Sequence, residues 1–334
     1  MKNNNHIRRT TLLCFILVLL SFTLLTQCKR EKEVLVADTP RNGIILGFSQ
    51  IGAESSWRKR NTQSIVEAAE ESHIQLLFDN AEQKQENQIK AMRSFIAYQV
   101  DVIAFVPIVA TGWDNILQEA KDAGIPVLVT DRKIETANEN LYAGFIGTDS
   151  EREGRDAAQF ILDKFSQIEN RPIRIIEISG TEGSSVALGR AAGFRQGLDD
   201  HPEFEIIHSE SGDFLRSKGY EIMSRILKEF DDIDAIYSHN DGMTLGIIDA
   251  MYERDLQPGS DIVIVTIDAE QAAIEALRRG EVNCVIECNP NTGPAIMELT
   301  KKLARGESIP RFQHVDEEVF YETDDLSSLE PRGY

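Results

Sequence analysis

The chain has 334 residues, 42% of them hydrophobic, and carries 35 basic against 55 acidic side chains, for a formal charge of −20. That length predicts two domains of about 150 residues, each long enough to bury its own core. A charge of that sign repels phosphate backbones and excludes nucleic-acid binding through a broad basic face, and solubility accounts for the acidity.

Residues 1–28 read as a targeting segment. Lys2, Arg8 and Arg9 precede an apolar run over residues 11–25. The run is about the length of a signal h-region and short for a free-standing transmembrane helix. Leu25-Thr26-Gln27-Cys28 then resembles a bacterial lipoprotein signal, with Cys28 as the lipidated first residue, although that pattern prefers a small residue where Gln27 stands. An uncleaved anchor is the alternative. Either way the body is expected in the periplasm or on the outer face of the cytoplasmic membrane, with residues 29–42 as a polar tether.

From Gly43 onward short apolar runs alternate with amphipathic stretches. Strands are predicted at 44–49, 74–78, 102–106 and 127–130, and again at 173–179, 206–209, 235–238, 262–266 and 283–287. Helices fill the gaps. Ile89, Met92 and Ile96 within 83–98, and Ala157, Phe160, Ile161 and Phe165 within 150–165, recur at the spacing of one buried helical face. Short β-branched strands alternating with helices predict an α/β fold of two successive doubly wound parallel sheets, covered on both faces. The polar stretch 324–334 is expected to be loosely held.

Four cysteines occur, of which Cys14 and Cys28 lie in the leader. Cys284 and Cys288 share a predicted strand, where they would stand about 13 Å apart, too far for a disulfide. No histidine stands at a metal-ligand spacing from them or from another histidine, so they read as buried or loop thiols, and neither a metal nor a cofactor is expected.

In doubly wound sheets ligands bind beyond the carboxyl ends of the strands. The polar stretches following each apolar run are therefore the candidates: Gln50 through Arg58, Asp131-Arg132, a glycine-containing loop and then Arg190, Ser211-Gly212-Asp213-Phe214, His239-Asn240-Asp241, Ile267-Asp268, and Glu287 at its strand's end. This set suits a sugar. Carboxylates accept from hydroxyls, guanidinium groups donate and an amide does both, while each hydroxyl buried without a partner would cost about 1–3 kcal/mol. The C–H faces of a sugar ring suit stacking on Trp57 and Phe214. A phosphate or carboxylate ligand would be repelled by the acidic members.

Val129-Thr130-Asp131-Arg132, Gly189-Arg190-Ala191-Ala192-Gly193-Phe194, His239-Asn240-Asp241 with Gly246, and Thr266-Ile267-Asp268 stand in the order and spacing of a known family. From Gly43 to about Val315 the chain resembles the periplasmic sugar-binding proteins of ABC transporters, in the ribose-, galactose- and allose-type group. Gly47-Phe48-Ser49-Gln50, Gln83-Lys84-Gln85-Glu86-Asn87-Gln88, Val109-Ala110-Thr111-Gly112-Trp113 and Ser211-Gly212-Asp213-Phe214 resemble its galactofuranose-binding branch. The resemblance implies a type I periplasmic binding protein fold, two lobes crossed by three hinge strands, with 43–147 plus 288–314 in the N-lobe and 148–287 plus 315–334 in the C-lobe. It implies a monosaccharide ligand in the furanose form, galactofuranose or a similar sugar, bound by Trp57, Arg58, Asp131, Arg132, Arg190, Phe214, Asn240, Asp268 and Glu287, and an ABC permease in the cytoplasmic membrane as partner of a monomeric receptor. Ala269-Glu270 departs from the glycine-containing turn of the family.

Plainer readings stand beside these. Trp57 could be a core aromatic, Asp131-Arg132 a surface ion pair, Arg190 a solvated helix residue and Asp268 a helix cap. Trp113 reads as structural, and Asn87 or Gln88 as support behind the pocket. The receptor could serve chemotaxis or a sensor kinase instead of transport. A glycosidase would need two carboxyl groups of separated pKa beside the scissile bond, and no nucleophile elbow, phosphate loop or zinc motif accompanies them. A repressor of the same fold is excluded by a leader where the DNA-binding helices would stand.

Overall fold

The computed structural model describes residues 43–334 except Glu54, Glu169 and Asn170. The leader, Cys28 and the tether lie outside the described residues.

The first sheet contains β1 (Ile45–Gln50), β2 (Gln75–Asn80), β3 (Val102–Phe105), β4 (Val127–Thr130), β5 (Gly144–Gly147) and β11 (Phe312–His314), in the order β11-β5-β4-β3-β1-β2. All its pairings are parallel. The second contains β6 (Ile173–Ser179), β7 (Phe204–Ser211), β8 (Ala235–Ser238), β9 (Val263–Asp268), β10 (Cys284–Glu287) and β12 (Val319–Tyr321), in the order β12-β10-β9-β8-β6-β7. Its pairings are parallel except that β12 runs antiparallel to β10. In each sheet the winding reverses beside the first strand, between β1 and β3 and again between β6 and β8, so each presents a crevice at its carboxyl edge.

Along the chain the helices are α1 (Ser56–Glu71), α2 (Gln85–Tyr98), α3 (Asp114–Asp122), α4 (Ser150–Lys164), α5 (Ser185–Leu198), α6 (Arg216–Glu229), α7 (Asp241–Tyr252), α8 (Gln271–Arg278) and α9 (Gly293–Ala304). Side-chain caps fix where several begin: Ser55 accepts from Arg58 N, Asp149 from Arg152 N, Ser184 from Ala187 N and Asn240 from Met243 N. Apolar clusters flank both sheets. Met92, Phe95, Trp113 and Ile116 pack with β3, β4 and β5 residues, and Ile65, Ala68, Ile296 and Leu299 with Leu46 and Phe48. Ile222, Met223, Ile247 and Ile274 pack with Ile176 and Ile264, and Ala157, Ile161 and Phe194 with Ile175 and Val265.

The chain passes between the sheets three times, at residues 148–149, 288–292 and 315–318. The sequence reading did not include β5, β11 or β12. β5 is four residues long with glycine at both ends, and β11 and β12 are three-residue strands whose pairing partners are distant in sequence. The expectation of complete coverage fails at β2 and β7, edge strands that are only partly buried. The polar end is also not loose: Arg332 and Tyr334 are bonded to β9, β10 and the start of α8. Cys284 and Cys288 are buried free thiols.

Candidate ligand-binding site

Where the carboxyl edges of the two sheets face one another, a cavity is lined by Ser55, Trp57, Arg58, Asp131, Arg132, Val186, Arg190, Phe214, Asn240, Asp268 and Cys288. The loops meet across it: Ala110 N donates to Gly183 O at 3.1 Å, and Lys133 N to Ser185 Oγ at 2.6 Å.

The loop after β1 delivers Trp57 and Arg58 in the first turn of α1. Trp57 donates its backbone N–H to Glu270 Oε1 at 2.9 Å and its indole N–H to Cys288 O at 2.5 Å. It is only 5% exposed and packs in the second sheet's core cluster, so it is a core aromatic and a cavity wall together. Arg58 Nη2 lies 2.7 Å from Asp131 Oδ2, with both side chains buried. Asp131 follows β4 with φ 62°, and its N–H donates to Ile146 O at 2.8 Å. Arg132 Nη1 donates to Ile108 O at 3.1 Å, and its guanidinium carbon lies 5.5 Å from the centre of the Phe214 ring. Ile108 is held in turn by the buried Gln88, whose Oε1 accepts from Ile108 N and whose Nε2 donates to Val106 O. Gln88 thus supports the pocket wall from behind, while Asn87 bonds Ala81 O, and Trp113 anchors its loop through Val109 O.

From the second sheet, Arg190 projects from α5. Its Nε donates to Glu153 Oε2 at 2.6 Å, its Nη1 to His239 O, and its Nη2 lies 3.7 Å from Asp268 Oδ1. Burial alone would lower its pKa; Glu153, Cys288 and Asp268 outweigh that and hold it well above its ordinary value. Burial pushes the Asp268 carboxyl well above the usual carboxylate range, with Arg190 pulling the other way. Phe214 has φ 61° and lies flat over Gly180, where an added Cβ would stand 1.9 Å from the ring. Both Arg132 and Arg190 approach this ring within 6 Å, inside cation–π range. Asn240 donates to Phe214 O at 3.5 Å while capping α7.

All the sequence candidates but Glu287 therefore line one cavity. Glu287 pairs with Arg332 and accepts from Glu318 N at 3.0 Å. Asp268 does not cap α8; Glu270 holds that position, and its side chain bonds Trp57 instead. Asp131 and Arg132 are buried rather than surface residues, and the Asp131 carboxylate pairs with Arg58. Sequence reading missed Ser55, Val186 and Cys288 in the lining, and Glu153 and Glu270 behind it. Ser55 could have been found as the cap of α1; the two glutamates look like ordinary solvated residues. Below the cavity, ligand atoms of Glu153, Cys288 and Glu317 lie within 4.8 Å of one another where the three crossings converge. The Arg190 guanidinium already occupies Glu153, and a metal ion beside it would be repelled.

Two doubly wound lobes enclosing a polar, aromatic-walled cavity at their facing carboxyl edges define a two-lobed solute-binding protein. The chain belongs to the periplasmic binding protein domain family, whose model matches residues 46–308. It is 41% identical over 262 residues to the galactofuranose-binding protein YtfQ of Escherichia coli K12, covering 77% of this chain and 81% of that one. Among solved structures, a Mycobacterium smegmatis protein in complex with β-D-fucofuranose shares 44% identity with TM-score 0.83, covering 86% of this chain and 94% of that one. The periplasmic binding component of the arabinose ABC transporter from Shewanella sp. ANA-3, bound to α- and β-L-arabinofuranose, shares 38% identity with TM-score 0.80, covering 83% and 92%. No helix among the described residues is long and apolar enough to cross a membrane.

Proposed function

We propose that this chain is the substrate-binding component of an ABC sugar importer, taking a monosaccharide in the furanose form, galactofuranose or a close relative, into the cavity between its lobes. The observation that carries this reading is the division of the lining. Trp57, Arg58, Asp131 and Arg132 come from the first lobe, and Arg190, Phe214, Asn240 and Asp268 from the second. Only a closed cleft brings both sets onto one small polyol, so the ligand stabilises closure through its differential affinity for that state. The similarity to proteins crystallised with fucofuranose and arabinofuranose supports the ring form.

The lobes in this reading are 43–147 with 288–314 and 148–287 with 315–334, moving about the three crossings. Cys28 is the lipid-bearing residue, which places a monomeric body at the outer face of the cytoplasmic membrane, where the permease empties it. The protein binds and does not turn over its sugar: Asp131 is tied to Arg58 and Asp268 faces Arg190, an arrangement for holding hydroxyls.

Calorimetric titration of residues 29–334 with pentoses and hexoses in defined ring forms tests this. Saturable binding of a furanose, recovered unchanged, is expected. Absence of binding across the panel would leave the fold with the wrong ligand class, and conversion of the sugar would reinstate the glycosidase.

A further inference from the structure

Asp268 reaches the cavity from an unusual backbone. Its φ is 130° and that of Ala269 is 62°, so two consecutive non-glycine residues occupy the region that side chains disfavour. Such strain persists only where the surroundings over-determine the conformation. Asp241 Oδ2 accepts from Glu270 N at 2.7 Å and Cys288 N donates to Asp268 O at 3.3 Å, and the other partners are residues 332–334. Arg332 Nε donates to Ala269 O at 3.3 Å, and the Tyr334 hydroxyl donates to Asp268 O at 3.4 Å. Gln271 is held from both sides, its N–H donating to Tyr334 O at 2.7 Å and its Oε1 accepting from Arg332 N at 2.9 Å. The same guanidinium donates to the Tyr334 hydroxyl at 2.8 Å and pairs with Glu287 at the end of β10. Tyr334 packs on the cluster that contains Trp57 and Cys288.

We propose that Arg332 and Tyr334 are positioning residues of the sugar site, clamping the left-handed Asp268–Ala269 turn and tying it to Glu287 so that the Asp268 carboxyl group stays aimed at the cavity and Arg190. Glu287, which does not line the cavity, acts on it through this clamp. The clamp's effect on affinity rests on the sugar-binding reading; its effect on the turn does not.

Two measurements on the full chain separate these. Hydrogen exchange of the ligand-free protein reads the turn directly. Arg332→Ala should speed exchange over residues 269–271 by about tenfold or more, and Tyr334→Phe, which keeps the ring packing, by less, with α4 unchanged. Titration with D-galactose and L-arabinose, whose solutions contain furanose forms, then reads the site. Arg332→Ala should weaken binding about tenfold, a size set by the loss of one charged hydrogen-bond network. In an Asp268→Asn background the same change should cost almost nothing further, because a positioning residue has no effect once its client is gone. If Arg332→Ala prevents folding, Arg332→Lys, which keeps the charge opposite Glu287 but not the fork, and Tyr334→Phe carry the same cycle. Unchanged exchange over 269–271, or fully additive losses with Asp268→Asn, would overturn the proposal. A protein that binds neither sugar would sink the sugar reading alone, and the exchange result would then decide the clamp.

Discussion

Trp57 and Glu270 join the two lobes: the backbone N–H in the first turn of α1 donates to a buried carboxylate at the start of α8, at 2.9 Å. The acceptor meets the positive end of a helix dipole, which favours an anion there. Under the proposed hinge closure, this latch is made only while the cleft is shut. Glu270→Ala should therefore shift the ligand-free population toward the open form and weaken sugar binding several-fold through the population term. Small-angle scattering with and without saturating ligand checks it, and identical profiles for wild type and variant in both states would show that the latch does not bias closure.

Asp131 and Arg58 form the most buried ion pair of the first lobe's cavity wall, at 2.7 Å. Asp131→Ala removes an acceptor for hydroxyls together with its charge-assisted contact to Arg58, a loss of about 1–3 kcal/mol. Calorimetry should find at least tenfold weaker binding, with Asp131→Asn intermediate. Near-wild-type affinity in Asp131→Ala would remove it from the site.

Gly180 shows how a backbone position serves an aromatic wall. Its missing Cβ would stand 1.9 Å from Phe214 Cζ and 2.2 Å from Cε1. Gly180→Ala must push the ring from its seat, and overpacking of this kind costs about 1–3 kcal/mol. We expect a lower melting temperature together with weaker sugar binding. Phe214→Leu, which relieves the clash, should restore stability to Gly180→Ala but not affinity; restored affinity would show that the ring does not contact the ligand.

How far the site was legible follows from these pairs. β4 and β8 could be read because each is a short buried run, apolar up to the polar residue that ends it, and β6 because Ile173, Ile175, Ile176 and Ile178 crowd β-branched residues into seven positions. Asp131, directly beyond β4, Asn240, two residues beyond β8, and Asp268, the last residue of β9, could be read because each marks the end of a buried strand. Arg190 lies inside α5, where nothing local separates it from a solvated arginine; the family pattern alone singled it out. Glu153 and Glu270 could not be read, because a glutamate on a helix is ordinarily solvated, and what buries these two is contact with Arg190 and Trp57. The final residues were misjudged for a related cause. A polar tail looks loose until the β9 and β10 ends, far away in sequence, supply its partners.

The crossing at residues 315–318 carries Glu317, whose carboxyl is faced by Glu153, Cys288, Arg190 and Glu287. Burial first, then the Glu153 carboxylate, pushes its pKa from 4.5 up to about 10, with Arg190 pulling it back. The folded chain thus keeps a proton that the unfolded chain releases above its ordinary carboxyl pKa. Folding stability must fall as pH rises between these values, by up to about 1.4 kcal/mol per pH unit from this group. Below about pH 4 both states hold the proton and the effect vanishes. Glu317→Gln mimics the protonated form and removes the slope. Urea unfolding at pH 5 and pH 8.5 should therefore show the variant close to wild type at the lower pH and more stable at the higher. A parallel fall of both proteins with pH would mean that Glu317 ionises in the folded chain as freely as in water.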